Sequence, residues 1–164
     1  GRTPIVAENG KVRDYVFEAQ KRGIVFDVGH GGGSFIFKQA IPAVQQGFKP
    51  NVISTDLHTG SMNGGMKNIN NVMSKFLNMG LSIQEVIATT TSKPAQYIQR
   101  KDLGHLSVGA EADVAILNIR KGDFGFIDTR GKRMKGKQKI ECELTLRAGN
   151  VVYDLNGLAS NDWK

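Results

Sequence analysis

The sequence predicts an α/β fold in which a parallel strand-helix-strand unit is followed by three helices and then by a β-rich segment. Two short apolar runs, at 24–28 and 51–55, flank a stretch of helical spacing. Between 69 and 98, helix signals follow one another without a strand between them. From about position 101, short β-prone runs alternate with glycine, asparagine and lysine turns. With 164 residues, 40% of them hydrophobic, the chain has enough apolar material for a real core. The change of rhythm divides it into residues 1–100 and 101–164.

Val12, Tyr15, Val16 and Ala19 fall on one helical face, and Gly23 supplies a C-terminal stop. Ile24-Val25-Phe26-Asp27-Val28 reads as a buried strand, and Gly29 to Gly33 as a glycine-rich turn. Phe35 to Gln46 reads as a helix ending near Gly47, and Asn51-Val52-Ile53-Ser54-Thr55 as the next strand. A polar loop from Asp56 to Gly65 then leads into a helix with the stripe Ile69, Val72, Met73, Phe76 and Leu77. Ser82-Ile-Gln-Glu85 is a capping box, because each of the two side chains can satisfy an orphan backbone N–H at the helix start. Ser92-Lys-Pro94 opens a further helix, with proline in the first turn, where its missing N–H costs nothing.

In the second half, Ala112–Asn118, Phe124–Ile127, Ile140–Leu146 and Val151–Tyr153 are the expected strands of a small β-domain. Cys142, Leu144 and Leu146 alternate with Glu141, Glu143, Thr145 and Arg147, the pattern of a half-buried antiparallel strand. Gly149-Asn150 is the expected hairpin turn.

Composition removes several classes of function. No apolar run approaches the roughly 18 residues of a membrane helix, and Gly1-Arg2-Thr3-Pro4 does not begin a secretory pattern, so a cytoplasmic location and no membrane partner are expected. Cys142 is the single cysteine, which excludes an intrachain disulfide and a cysteine-based zinc cluster. The net charge is +7, but six basic residues crowd into Arg130–Lys139 with no aromatic side chain among them for base stacking. That pattern reads as a solvated hairpin, and no nucleic-acid partner is expected.

The residues with chemical potential stand in equivalent places. His30 follows the first strand and Asp56 the second, at the carboxyl edge where parallel α/β folds bind ligands. Neutral imidazole and carboxylate both suit a divalent metal that activates water, and a carboxylate there can alternatively act as a base. His58, two residues beyond Asp56, could join them. Gly29-His-Gly-Gly-Gly33-Ser34 also approximates a dinucleotide-binding turn, but Ser34 replaces the third small residue and His30 crowds the pyrophosphate path. The His-Gly-Gly-Gly string is similar to a lipase oxyanion loop, yet the chain has no Gly-x-Ser-x-Gly elbow.

Three strings together, Phe26-Asp-Val-Gly-His30-Gly-Gly-Gly-Ser34-Phe35, Ile53-Ser-Thr-Asp56-Leu-His58 and Gly104 to Leu117 with Gly109, Ala112 and Asp113, resemble the C-terminal part of an amidohydrolase-superfamily enzyme of the dihydroorotase-like deacetylase branch. The resemblance implies the end of a (β/α)8 barrel followed by a small β-sandwich, with one or two zinc ions and a small-molecule substrate. It implies hydrolysis of an amide, cyclic amide or ester bond by metal-activated water. His30 would match the histidine after the sixth barrel strand, a ligand of the more exposed metal. Asp56 would match the aspartate after the eighth strand, a metal ligand and catalytic proton shuttle. Gly31, Gly32, Ser34 and His58 would line the substrate pocket, while Gly109, Ala112 and Asp113 would be structural.

The family's remaining ligands, a His-x-His pair among them, are missing, since the only histidines are His30, His58 and His105. A whole barrel takes roughly 250 residues. The chain is therefore expected to hold a relic of the site and to associate with itself or with the missing barrel portion through its open sheet edge. The alternative is a non-catalytic assembly or interaction module.

Overall fold

The computed structural model describes residues 3–164, and Gly1 and Arg2 of the start lie outside the described residues. Helix α1 (Asp14–Lys21) leads through Gly23, at φ +91°, toward β1 (Asp27–Gly29). Helix α2 (Phe37–Gln45) crosses over to β2 (Val52–Ser54), which pairs in parallel with β1 in the register Asp27–Val52, Val28–Ile53 and Gly29–Ser54. The expected strand-helix-strand unit is present, with both strands shorter than the sequence suggests. Ile24 and Val25 stay outside β1, 53% and 42% exposed, because nothing among the described residues covers them.

Helix α2 begins two residues later than its apolar pattern, and the reason is tertiary. Ile36 is extended, and the N–H of Phe37 donates to Asp128 Oδ2 at 3.0 Å, a cap supplied 91 positions away. Helix α3 (Ile69–Met79) is capped locally: Asn68 accepts from Asn71 N, and Gly80 ends the helix at φ +114°. Helix α4 (Ile83–Thr90) opens on the complete Ser82–Glu85 capping box, and α5 (Ser92–Tyr97) follows with Pro94 in its first turn.

The four expected β-runs merge into two long strands, β3 (Val114–Ile127) and β4 (Arg133–Arg147), with β5 (Asn150–Asp154) completing an antiparallel sheet in the order β3-β4-β5. Register shifts near Ile116 and Lys121 let the strand continue through sequence that looks like turn. The last hairpin turns one residue earlier than expected, at Ala148-Gly149. Both residues have positive φ, +48° and +78°, as a two-residue hairpin turn matched to the strand twist requires, and Arg147 pairs Asn150.

The boundary expected at residue 100 does not separate two cores. Phe126 and Ile140 of the sheet share one buried cluster with Phe35, Phe37, Ile53, Val72 and Phe76, while Leu117, Phe124 and Met134 pack at its margin. Polar bonds fasten α3 to β4 across this junction. Ile140 N donates to Ser74 Oγ at 2.9 Å, and Asn78 donates to Gln138 O and accepts from Lys137 N. A second cluster of Val6, Val12, Val16, Ala43 and Phe48 seats α1 against α2.

Candidate active site

The carboxyl ends of β1 and β2 place the two expected residues in adjoining loops. Gly31 N donates to Thr55 O at 2.8 Å, which ties the loop after β1 to the one after β2. The Asp56 side chain lies in the notch left by missing side chains at Gly29 and Gly31. A Cβ built on Gly29 would stand 3.3 Å from Asp56 Cβ, and one on Gly31 would collide with Asp56 Oδ2. Gly31, at φ +48°, is thus glycine for two reasons, backbone conformation and close approach. Asp56 itself holds φ +50°, a left-handed conformation costly for most side chains and tolerated by aspartate. Its carboxylate is exposed at the loop edge.

His30 goes elsewhere. It is fully buried, stacked on Phe35 with ring centroids 4.5 Å apart. Nδ1 lies 3.0 Å from Gly31 O, and because a carbonyl only accepts, Nδ1 carries the proton. Nε2 then accepts from Lys75 Nζ at 2.8 Å. Both ring nitrogens are committed, so the expectation of His30 as a metal ligand is corrected: no lone pair is left for an ion. Its implied place in a barrel changes as well. β1 and β2 are hydrogen-bonded neighbours joined by one helical crossover, as consecutive barrel strands are. If Asp56 follows the eighth strand, His30 follows the seventh.

Lys75 is the residue the sequence analysis missed. It sits on α3 amid the stripe that packs the core and is fully buried. Besides His30, its Nζ donates to Gly65 O at 2.9 Å and Ile127 O at 2.8 Å, so all three ammonium protons have acceptors. Burial lowers its pKa to about 8, against the opposing charge of Asp128. Asp128 is itself 2% exposed and accepts from the N–H groups of Phe37, Arg130 and Lys132. Burial works against its ionised form, but those backbone donors prevail and hold its carboxyl below the usual range. The only advance sign of Lys75 was a lysine on an apolar helical stripe, which ordinarily marks a side chain reaching out to solvent.

Burial lowers the His30 pKa from 6.5 to about 4, with the neighbouring Lys75 charge adding to the effect. The unfolded chain therefore binds a proton that the folded chain refuses between these values. The His30 contribution to unfolding free energy is expected to be complete above pH 6.5 and to fall by roughly 3 kcal/mol as pH drops to about 4. Urea unfolding across that window measures it, and a His30→Gln variant should remove most of the slope. An equal slope in that variant would show that another group titrates.

The remaining expected residues do not converge on one cavity. Ser34 lines a cleft of about 260 Å³ together with Val28, Gly29 and Phe35, and neither Asp56 nor His58 borders it. Gly32 lies against Ser61, and a Cβ there would stand 3.3 Å from Ser61 Cβ. His58 is exposed; its Nδ1 accepts from Gly60 N at 3.1 Å, which leaves the Nε2 side of the neutral ring as a donor beside Asp56 in sequence. A larger cavity of about 390 Å³, bordered by Met73, His105 and Glu111, includes none of these loop residues. Among the described residues no three histidine, cysteine or carboxylate side chains come together to hold a metal. With His30 committed, the chain by itself offers a metal one carboxylate, Asp56, and does not fit the group alone.

Comparison with known proteins places this geometry. A model of the amidohydrolase family matches residues 50–153. The chain is 32% identical over 145 residues to a deacetylase of Enterococcus faecalis, covering 88% of this chain and 39% of that protein. It superposes on a crystal structure of an adenine deaminase with a TM-score of 0.85 at 30% identity, covering 92% of this chain and 41% of the other. On a crystal structure of a dihydroorotase the TM-score is 0.78 at 31% identity, covering 87% and 39%. The chain thus spans about two fifths of the length of these relatives.

Proposed function

The chain belongs to the amidohydrolase family, and from that premise we propose that it forms the C-terminal portion of a metal-dependent hydrolase that cleaves an amide, cyclic amide or ester bond. The observation that carries the reading is Asp56: an exposed carboxylate just past a parallel strand, on a left-handed backbone, seated in a notch that Gly29 and Gly31 keep open. Asp56 takes the proton of the attacking water and returns it to the leaving group. His58, at the exposed end of the same loop, donates to the substrate, with Gly31 beside the Asp56 carboxylate and Gly32 against Ser61 of that loop, while Ser34 faces a separate cleft. A divalent metal, zinc by the resemblance, would take Asp56 as one ligand and polarise the scissile carbonyl, its other ligands coming from outside this chain.

Length supports the partial-barrel part of this proposal. β1 and β2 stand as a pair, whereas a closed barrel needs eight strands. The three-stranded sheet would form part of the small β-sandwich. The sheet leaves Ile116, Val152 and Tyr153 between 46% and 59% exposed, apolar surface suited to the missing portion or to a second copy. That surface is also what favours the second reading, an assembly module without activity of its own. No helix among the described residues is long and apolar enough to cross a membrane.

The test uses the enzyme with its full barrel and a panel of an N-acetyl amide, a cyclic amide and an acetyl ester. Hydrolysis of at least one, lost on chelation and restored by zinc, is expected; turnover that persists in chelator overturns the metal part, and no turnover of any of the three overturns the hydrolase reading. Zinc titration of the 164-residue chain alone should show weak binding. Tight one-to-one binding by a monomer would contradict a site completed from elsewhere.

A further inference from the structure

We propose that Lys75 is the positioning residue of this site, a buried post whose Nζ holds together the loop after β1, the loop after β2 and the tip of the β3–β4 hairpin. Each arm is a single hydrogen bond to a different segment: His30 Nε2 at 2.8 Å, Gly65 O at 2.9 Å and Ile127 O at 2.8 Å. His30 carries the constraint one step further. Its Nδ1 grips Gly31 O, and Gly31 both bonds Thr55 O through its own N–H and packs against the Asp56 carboxylate. A continuous path therefore runs from the Lys75 amine through His30 and Gly31 to Asp56.

The hairpin arm is built as tightly. Gly65 has no room for a side chain, since a Cβ there would collide with Ile127 O and stand 2.6 Å from Asp128 O. Thr129 N and Oγ1 both donate to Phe35 O, at 3.0 and 2.6 Å, beside the ring on which His30 stacks. Lys75 touches neither Asp56 nor solvent, so it acts through these loops. Three carbonyl and imidazole acceptors meeting one amine specify a lysine, whereas filling space would be served as well by methionine.

The inference rests on the site reading above only where activity is measured, and its main test does not need activity. In the wild-type chain, long-range ¹H–¹⁵N spectra of the His30 ring between pH 5 and 8 should show the Nδ1-protonated tautomer. An Nε2-protonated ring overturns the proposal, because that nitrogen could not accept from Lys75. In Lys75→Met, amide exchange at Gly31 should accelerate at least tenfold, while Ile140, bonded to Ser74 on the same helix, keeps its protection. Equal loosening at Gly31 and Ile140 would mean a general structural role and would also overturn it. In the active enzyme, the same substitution should lower kcat by roughly 10- to 100-fold and leave KM within a few fold, since a displaced Asp56 harms chemistry more than binding. An unchanged kcat overturns the proposal, whereas a wild-type enzyme that hydrolyses nothing overturns the hydrolase reading and leaves the tautomer and exchange results to decide Lys75.

Discussion

Replacing Asp56 by asparagine in the active enzyme is expected to lower kcat by roughly 10²- to 10⁴-fold, the usual loss when a proton-transferring side chain is removed. The expectation rests on what the substitution keeps. Asparagine tolerates the left-handed backbone as aspartate does, so φ +50° at this position need not change. Its amide has nearly the same shape and fits the notch over Gly29 and Gly31, where any larger side chain would meet those backbones. What it removes is the oxygen that can accept a proton. Folding stability should therefore stay within about 0.5 kcal/mol, as for a surface substitution that breaks no buried bond. Steady-state kinetics with a urea melt separates the two effects: a rate within twofold of wild type would refute the proton role, and a large loss of stability would show that the carboxylate is structural. Asp56→Gly sharpens the comparison. It relieves the positive φ, so the variant should be about as stable as wild type or more so while losing the same activity. Stability and catalysis moving in opposite directions at one residue would mark a strained functional position.

The legible parts of the sequence were those whose cause is local. The Ser82–Glu85 capping box, the Asn68-to-Gly80 helix and the parallel pair around α2 all follow from residues within a few positions of one another. The position of Asp56 was legible for the same reason, since a short apolar strand before it sets it at the carboxyl edge of the parallel pair. The misreadings came from distance. Helix α2 starts at Phe37 because Asp128 caps it, and β3 runs through Lys121-Gly122-Asp123 because pairing with β4 resumes on both sides of that stretch. His30 looked equivalent to Asp56 by position along the chain, but its orientation is decided by Lys75 and Phe35, 45 and five residues away. A stripe pattern registers Lys75 as polar and therefore outward. Only the convergence of His30, Gly65 and Ile127 on one point makes an inward lysine affordable, and no spacing rule contains that convergence.

Asp128→Ala should be strongly destabilising for a substitution outside the apolar core, at about 2–3 kcal/mol. The side chain is 2% exposed, and its two oxygens accept from Phe37 N at 3.0 Å, Arg130 N at 2.8 Å and Lys132 N at 2.8 Å. Alanine leaves those donors without their acceptor, the Phe37 N–H in a buried setting, where the loss costs roughly 1–3 kcal/mol, and the Arg130 and Lys132 N–H groups in partly open ones, where water can take the acceptor's place and the cost is smaller. It also withdraws the negative charge that favours the buried Lys75 ammonium, which lowers the Lys75 pKa further below about 8. Asp128→Asn separates the contributions, since its amide oxygen can still accept from the Arg130 and Lys132 N–H groups while the charge and one acceptor are gone. It should cost about half as much. The pH dependence gives an independent check. Because the folded-state pKa of Asp128 is depressed, its stabilisation is complete above the ordinary value of 3.8 and is lost as pH falls below it. That window lies beneath the His30 transition between 6.5 and 4, and because Glu85, Asp102, Glu141 and Asp154 are depressed as well, the lower decline should shrink in Asp128→Ala without vanishing. A loss below about 1 kcal/mol at neutral pH, or a lower decline as large in Asp128→Ala as in wild type, would show that the hairpin tip is held to α2 by Thr129 and the apolar contacts of Phe126 alone.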